Sequence, residues 1–107
     1  MTSVTTIKKK VISALEDIKA FDIIALNVKG NTAITDFMII ASANSSRQSK
    51  ALAGNIKEKM NDLGVQVLGV EGEKDGEWVL VDLGDVVVHI MTPTTRAYFN
   101  LEELWTA

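Results

Sequence analysis

Several residue types are scarce in this 107-residue sequence. It has no cysteine, and proline and histidine occur once each. Without cysteine, disulfides, thiolate metal sites and cysteine nucleophiles are excluded. No apolar run approaches the roughly 20 residues that span a bilayer, and the start MTSVTTIKKKV lacks the apolar core of a signal peptide. These absences predict a soluble cytoplasmic protein that makes no membrane contact.

Basic charge is scarce in the second part of the chain. Residues 61–107 carry two basic and nine acidic side chains, a balance of −7, whereas residues 1–60 carry nine basic and five acidic, a balance of +4. A nucleic-acid binder normally presents a basic field, because neutralising phosphates supplies most of its non-specific affinity. The overall charge of −3 has the opposite sign. It therefore argues against direct nucleic-acid recognition and favours a basic protein partner.

The hydrophobic content of 47% is sufficient for the core of one domain over residues 1–107. Periodicity, caps and turns predict the order α-β-β-α-β-β-β-α, an α/β or α+β layer fold with helices packed on a mixed five-stranded sheet. The first half is predicted to hold a helix at 6–20 capped by Thr5 or Thr6, and strands at 22–29 and 36–43 around a Gly30-Asn31 turn. A second helix begins at the Ser45–Gln48 capping box and runs to Leu63, with Gly64 after it, and strands follow at 65–72, 78–83 and 86–91. The last helix begins after Thr92-Pro93 and has Tyr98, Leu101 and Leu104 or Trp105 on its apolar face.

The stretch VDLGDVVVHIMTP predicts a hairpin with Gly84-Asp85 as its turn. One face of that hairpin is then wholly aliphatic and belongs to the core. The other face mixes large apolar groups with an acid and an imidazole. Aromatic and Met side chains with a polar rim are typical of a protein interface, but a helix of the same chain could equally cover this face. Its members are Trp78, Leu80, Asp82, Val87, His89 and Met91.

Catalytic chemistry has little support in the sequence. Asp82 and His89 lie diagonally across the hairpin, and a zinc site with one histidine and no cysteine would need three oxygen ligands. A nucleophile elbow of the form G-x-S-x-G is absent. We therefore expect no catalytic residues, no metal and no cofactor. The polar loop with Ser45, Ser46 and Arg47 could contact an anion at a helix N-terminus; alternatively, it serves only as the capping box.

Three segments resemble one known family, the ribosomal silencing factors, also called the Iojap-like family. They are DFMIIASANSSRQSKALA at 36–53, EG at 71–72 and WVLVDLGDVVVHIMTPTTRAYFNLEELW at 78–105. The resemblance implies a nucleotidyltransferase-like fold without catalytic residues, and hence not an enzyme. Those enzymes carry an acidic metal-binding pair shortly after a Gly-Ser turn, whereas Ser45-Ser46 here is followed by Arg47, Gln48 and Lys50.

The resemblance also implies a function. Such factors bind the large ribosomal subunit through its universal protein fourteen, block association with the small subunit and slow translation under nutrient limitation; some relatives act in large-subunit biogenesis, and homodimers occur in the family. The alternative is a nucleotide-binding protein with a degenerate nucleotidyltransferase fold. Carried over by position, the implied interface comprises Trp78, Leu80, Asp82, Asp85, His89, Met91, Arg96, Tyr98, Asn100 and Glu103.

Overall fold

The computed structural model describes residues 3–28, 35–101 and 103. Within them, a five-stranded mixed sheet in the order β1-β2-β5-β4-β3 has β2 and β5 parallel and all its other pairs antiparallel. The element order and the mixed α/β architecture confirm the sequence prediction. The elements are α1 (Val4–Asp17), β1 (Phe21–Asn27), β2 (Phe37–Ser42), α2 (Ser46–Asp62), β3 (Gly69–Glu71), β4 (Trp78–Asp82), β5 (Val86–Met91) and α3 (Pro93–Phe99).

Some predicted features lie outside the described residues, namely the Gly30-Asn31 turn and the apolar positions Leu104 and Trp105. Strand β3 is shorter than predicted, because only Gly69–Glu71 pair with β4 in the strand register. Residues 65–68 form no strand, although the Leu68 N–H donates to the Asp82 carbonyl oxygen at 2.8 Å. No helix in the described part of the chain is long and apolar enough to cross a membrane.

The cap of α1 differs from the prediction. The helix begins at Val4, and the Ser3 hydroxyl accepts a hydrogen bond from the Thr6 backbone N–H at 3.2 Å. Thr5 and Thr6 therefore lie inside the first turn and neither is the N-cap. Ile7, Val11 and Leu15 recur at helical spacing on one side of α1 and are buried in the main core.

Helix α2 begins as predicted. Ser45 is its N-cap, and the Ser45 hydroxyl accepts from the Gln48 backbone N–H at 3.1 Å. The Gln48 side chain reaches back to the Asn44 backbone N–H, and its amide nitrogen donates to the Ile18 carbonyl at 2.7 Å. Gln48 therefore completes the capping and also ties α2 to the end of α1. Gly64 follows the helix with φ +72°, in the left-handed conformation that commonly ends a helix.

The β4–β5 hairpin has the predicted register. Trp78 lies opposite Met91, Leu80 opposite His89 and Asp82 opposite Val87. The aliphatic face of this hairpin packs under α1 and α2 and forms the main core with β2. The buried members on that face are Val79, Val81, Leu83, Val86, Val88 and Ile90.

Two glycines give opposite predictions for the free energy of unfolding. Gly54 lies in the interior of α2, where an added Cβ would meet open space. We expect Gly54→Ala to raise the free energy of unfolding by about 0.5–1 kcal/mol, because alanine has the higher helix propensity.

At Gly72, with φ +85°, a Cβ would come within 2.0 Å of the Trp78 carbonyl oxygen. We expect Gly72→Ala to lower the same quantity by about 2 kcal/mol or more.

Urea unfolding followed by circular dichroism measures both changes. Gly69→Ala is the matched control, because a Cβ at Gly69 also meets open space but lies in a strand. A Gly72→Ala variant as stable as the Gly69→Ala variant would contradict the close approach of the Gly72 loop to β4.

Candidate docking surface

The residues that the structure describes cover the second face of the sheet only in part. At the β1–β2 side, a small core of Val28, Met38 and Ile40 packs with Leu26 and with Leu101, which follows α3. On β5, His89 is 7% exposed and Met91 is fully buried. Toward β4, Trp78 and Leu80 are only half-buried. In the part of the chain that the structure describes, the face is thus covered beside β1 and β2 and open beside β4 and β3.

Trp78 lies where the covered part meets the open part. Its indole Nε1–H donates to His89 Nδ1 at 3.0 Å, and the two rings are tilted with centroids 5.8 Å apart. The indole also contacts Phe99 of α3, with ring centroids 4.7 Å apart. The hydrogen bond requires His89 Nδ1 to be unprotonated. The neutral imidazole therefore holds the indole, and the indole has no free polar atom.

His89 and Met91 do not reach the surface where the sequence-based interpretation placed them. The end of β5 lies beside β2 and faces α3, so both side chains pack inside. Met91 is a core residue here, and His89 fixes the Trp78 indole by accepting its hydrogen bond.

The other interface candidates divide between exposed and structural groups. Asp85, Tyr98, Asn100 and Glu103 are exposed, and Tyr98 reaches 82% exposure while its ring touches Phe99 edge-on. The Asp82 carboxylate accepts from the Gly84 backbone N–H at 2.9 Å and so stabilises the hairpin turn.

Arg96 makes contacts that hold the fold together. Its Nη1 donates to the Asp22 carbonyl oxygen at 2.6 Å and to the Ser42 hydroxyl at 2.8 Å. These bonds attach α3 to the ends of β1 and β2. The guanidinium group therefore positions α3 over the second sheet face, which also positions Tyr98 and Phe99.

An open hollow of about 310 Å³ lies beside the indole, lined by Glu71, Gly72, Trp78 and Leu80. The sequence-based interpretation included Trp78 and Leu80 but assigned no role to Glu71 or Gly72. Glu71 lies directly opposite Leu80 in the β3–β4 pairing and so shares its face. The signal in the sequence was weak, because β3 is only three residues long and its register follows from tertiary pairing.

The Ser45–Arg47 loop has fewer free groups for an anion than the sequence suggested. The Gln48 backbone N–H already donates to the Ser45 hydroxyl, and the Asn44 backbone N–H already donates to the Gln48 side-chain oxygen. The loop between β3 and β4 also crosses here, since a Cβ on Gly76 would lie 2.5 Å from the Ser46 carbonyl oxygen. That loop contains the triplet Asp75-Gly76-Glu77, an acidic pair that disfavours an anion. In the described residues, no three His, Cys, Asp or Glu side chains are grouped to hold a metal ion.

Burial of His89 predicts a specific dependence of stability on pH. Desolvation lowers the pKa of His89 from 6.5 to about 4. Between these values the unfolded chain binds a proton that the folded chain does not, so the free energy of unfolding decreases as the pH falls from 6.5 toward 4. The contribution is on the order of a few kcal/mol over that window. Protonation at Nδ1 would also break the bond from Trp78.

His89→Gln tests this, because an uncharged amide oxygen can still accept from Trp78. We expect the variant to lose less stability than the wild type between pH 7 and pH 4, as measured by urea unfolding at each pH. The carboxylates are identical in the two proteins, so the difference between the curves isolates His89. Parallel curves would show that His89 carries no such linkage.

Comparisons with known proteins agree on one family. The family profile described as "Ribosomal silencing factor during starvation" matches residues 2–107. The chain is 50% identical over 99 residues to the ribosomal silencing factor RsfS of Chromobacterium violaceum, covering 92% of this chain and 81% of that protein. It is 32% identical over 98 residues to the mouse protein named mitochondrial assembly of ribosomal large subunit protein 1, covering 89% of this chain and 43% of that protein.

A solved structure gives the same result. A crystal structure of a Chromobacterium violaceum protein superimposes with a TM-score of 0.95 at 48% identity, covering 97% of this chain and 87% of that chain. Sequence and fold therefore agree over nearly the whole length, and the chain belongs to the family of ribosomal silencing factors.

Proposed function

We propose that this chain is a translational repressor that docks on the large ribosomal subunit, through its universal protein fourteen, and sterically blocks the small subunit. The observation that carries the proposal is the partly open second face of the sheet. There Trp78 and Leu80 are half-buried and Tyr98 is 82% exposed. Aromatic anchors of this kind dominate binding energy at protein interfaces.

The charge of this region supports a basic partner. Nine acidic and two basic residues lie in residues 61–107, the part of the chain that contains the docking surface. Ribosomal proteins that lie on RNA are rich in basic side chains, so an acidic surface favours a protein contact over an RNA contact. The name of the mouse relative refers to assembly of the ribosomal large subunit, which supports the choice of subunit and a role in its biogenesis.

Occlusion requires no chemistry, so the function includes no turnover, metal or cofactor. The residues that fit docking are Trp78, Leu80, Asp85 and Tyr98 at the surface. His89, Met91 and Arg96 fit a supporting role beneath it, because their contacts lie within the chain. Self-association through the same apolar surface would compete with ribosome binding.

Sucrose-gradient sedimentation of purified bacterial subunits tests the proposal. Subunits are re-associated with and without the protein, and we expect the protein to migrate with the large subunit and to reduce the peak of joined ribosomes. Tyr98→Ala should weaken binding by about tenfold, which is typical of a hot-spot aromatic, without changing fold stability. Trp78→Ala should weaken it more, but its unfolding must be measured too, because the indole also packs against His89 and Phe99.

Arg47→Ala is the matched control, because Arg47 is exposed at the start of α2, outside the proposed surface. We expect it to bind like the wild type. The gradients are repeated over a range of protein concentrations, and light scattering gives the protein's mass at each one. This distinguishes a loss of ribosome binding caused by dimer formation from one caused by the substitution. Wild-type protein that stays at the top of the gradient and leaves the peak of joined ribosomes unchanged would overturn the proposal.

The alternative function, nucleotide binding, has one supporting observation. The Asp75-Gly76-Glu77 loop lies against Ser46 at the start of α2. Its two carboxylates repel a free anion, but they lie where a nucleotide bound together with Mg²⁺ would need acidic groups. Isothermal titration with ATP and Mg²⁺ distinguishes the two functions. We expect no binding heat with the wild type, because two of the N–H groups in this loop are already used. A saturable signal that Arg47→Ala removes would favour the alternative.

A further inference from the structure

The hollow beside Trp78 is formed by two neighbouring strands and the loop that joins them. Glu71 and Leu80 face each other across the β3–β4 pair, and Gly72 follows at the point where β3 ends. Gly72 contributes no side chain to the lining, and a Cβ there would come within 2.0 Å of the Trp78 carbonyl oxygen. At about 310 Å³ the hollow is at the lower limit of ligand pockets, which suits one side chain rather than a cofactor.

The lining has two chemical parts. Trp78 and Leu80 supply an apolar floor, and the only polar atom of the indole already donates to His89. Glu71 supplies an exposed carboxylate that has no ion-pair partner among the described residues. Lysine and arginine combine an aliphatic stem with a cationic end, so they match an apolar floor beside a carboxylate. The face of an indole is also the preferred aromatic surface for a cation.

The surrounding charges favour the same class of occupant. Asp82 lies on the same sheet face as Leu80, two residues along β4. The two basic residues in this part of the chain are Lys74 and Arg96. Arg96 is turned toward Asp22 and Ser42, and Lys74 lies in the exposed turn after β3. An anionic occupant such as a phosphate would meet carboxylates without a cation on the lining.

We infer that this hollow, defined by Glu71, Gly72, Trp78 and Leu80, receives one lysine or arginine side chain from the protein partner on the large ribosomal subunit. The inference rests on the proposed function and specifies the chemistry of its contact. The stem packs on Trp78 and Leu80, and the cation pairs with Glu71. Docking removes water from the pair, so the contact contributes both charge complementarity and apolar burial.

A first experiment tests the hollow without ribosomes. ¹⁵N-labelled protein is titrated with Nα-acetyl-lysine amide and, separately, with Nα-acetyl-norleucine amide, which has a similar stem but no charge. We expect the lysine probe to shift the amide resonances of Gly72 and Leu80 and the indole N–H of Trp78, and Glu71→Gln to reduce those shifts severalfold. Equal shifts with the norleucine probe, or no shift at millimolar lysine probe, would overturn the inference.

A second experiment measures affinity for purified large subunits at several salt concentrations. We expect Glu71→Gln to weaken binding by about two- to fivefold at low salt and to flatten the salt dependence, as for an ion pair at an interface rim. Glu71→Lys should weaken binding by about tenfold or more, because it places like charges together. Glu58→Gln is the control, because Glu58 is exposed on α2, across the sheet from the hollow. We expect this variant to have the wild-type affinity and the wild-type salt dependence.

The two possible failures are distinguishable. If the wild type does not bind large subunits, the proposed function fails and the assignment of the partner fails with it. If the wild type binds but Glu71→Gln and Glu71→Lys bind equally well at every salt concentration, only the inference is overturned. If the protein bound isolated ribosomal RNA, free of ribosomal proteins, as tightly as it binds the large subunit, the inference would also be overturned, because the occupant would then be a nucleic acid.

Discussion

Strand β5 must be buried on both faces, and the placement of the other elements follows from this constraint. It pairs with β2 in parallel and with β4 antiparallel, and a parallel pair is normally covered on both sides. Helices α1 and α2 together cover one face. Among the described residues, the other face has the seven residues of α3 and Leu101. The described residues therefore cover β5 and β2 and leave part of β4 and β3 open.

Trp78 marks the edge of that cover, and its hydrogen bond explains how a large side chain can remain there. An indole N–H without a partner would cost free energy when a docking protein excludes water. Here His89 accepts that hydrogen bond inside the protein. Phe99 also packs against the ring. The exposed part of the indole is therefore carbon surface held in one orientation, which lowers the entropic cost of binding.

The features that the sequence predicted are those set by local rules. The register of the β4–β5 hairpin follows from its turn and two-residue period, and the Ser45 cap from its spacing to Gln48. The burial of Met91 and the role of Arg96 depend instead on where α3 lies, which is set by contacts between distant residues. Arg96 and Asp22, for example, are 74 positions apart. The hollow could not be predicted either, because a three-residue edge strand has too little pattern to show its partner.

In the proposed complex, the acidic charge and the apolar hollow act over different distances, and this separates their effects on binding. Charges on residues 61–107 attract a basic surface over a range of about 8 Å at physiological salt, which raises the rate of encounter. The floor of Trp78 and Leu80 acts only on contact, and burial of apolar area slows dissociation. Glu71 belongs to the acidic field and also lines the hollow, so the proposed contact assigns it a part in both steps. A change at Glu71 should therefore alter association and dissociation together, whereas a change at Leu80 should act mainly on dissociation.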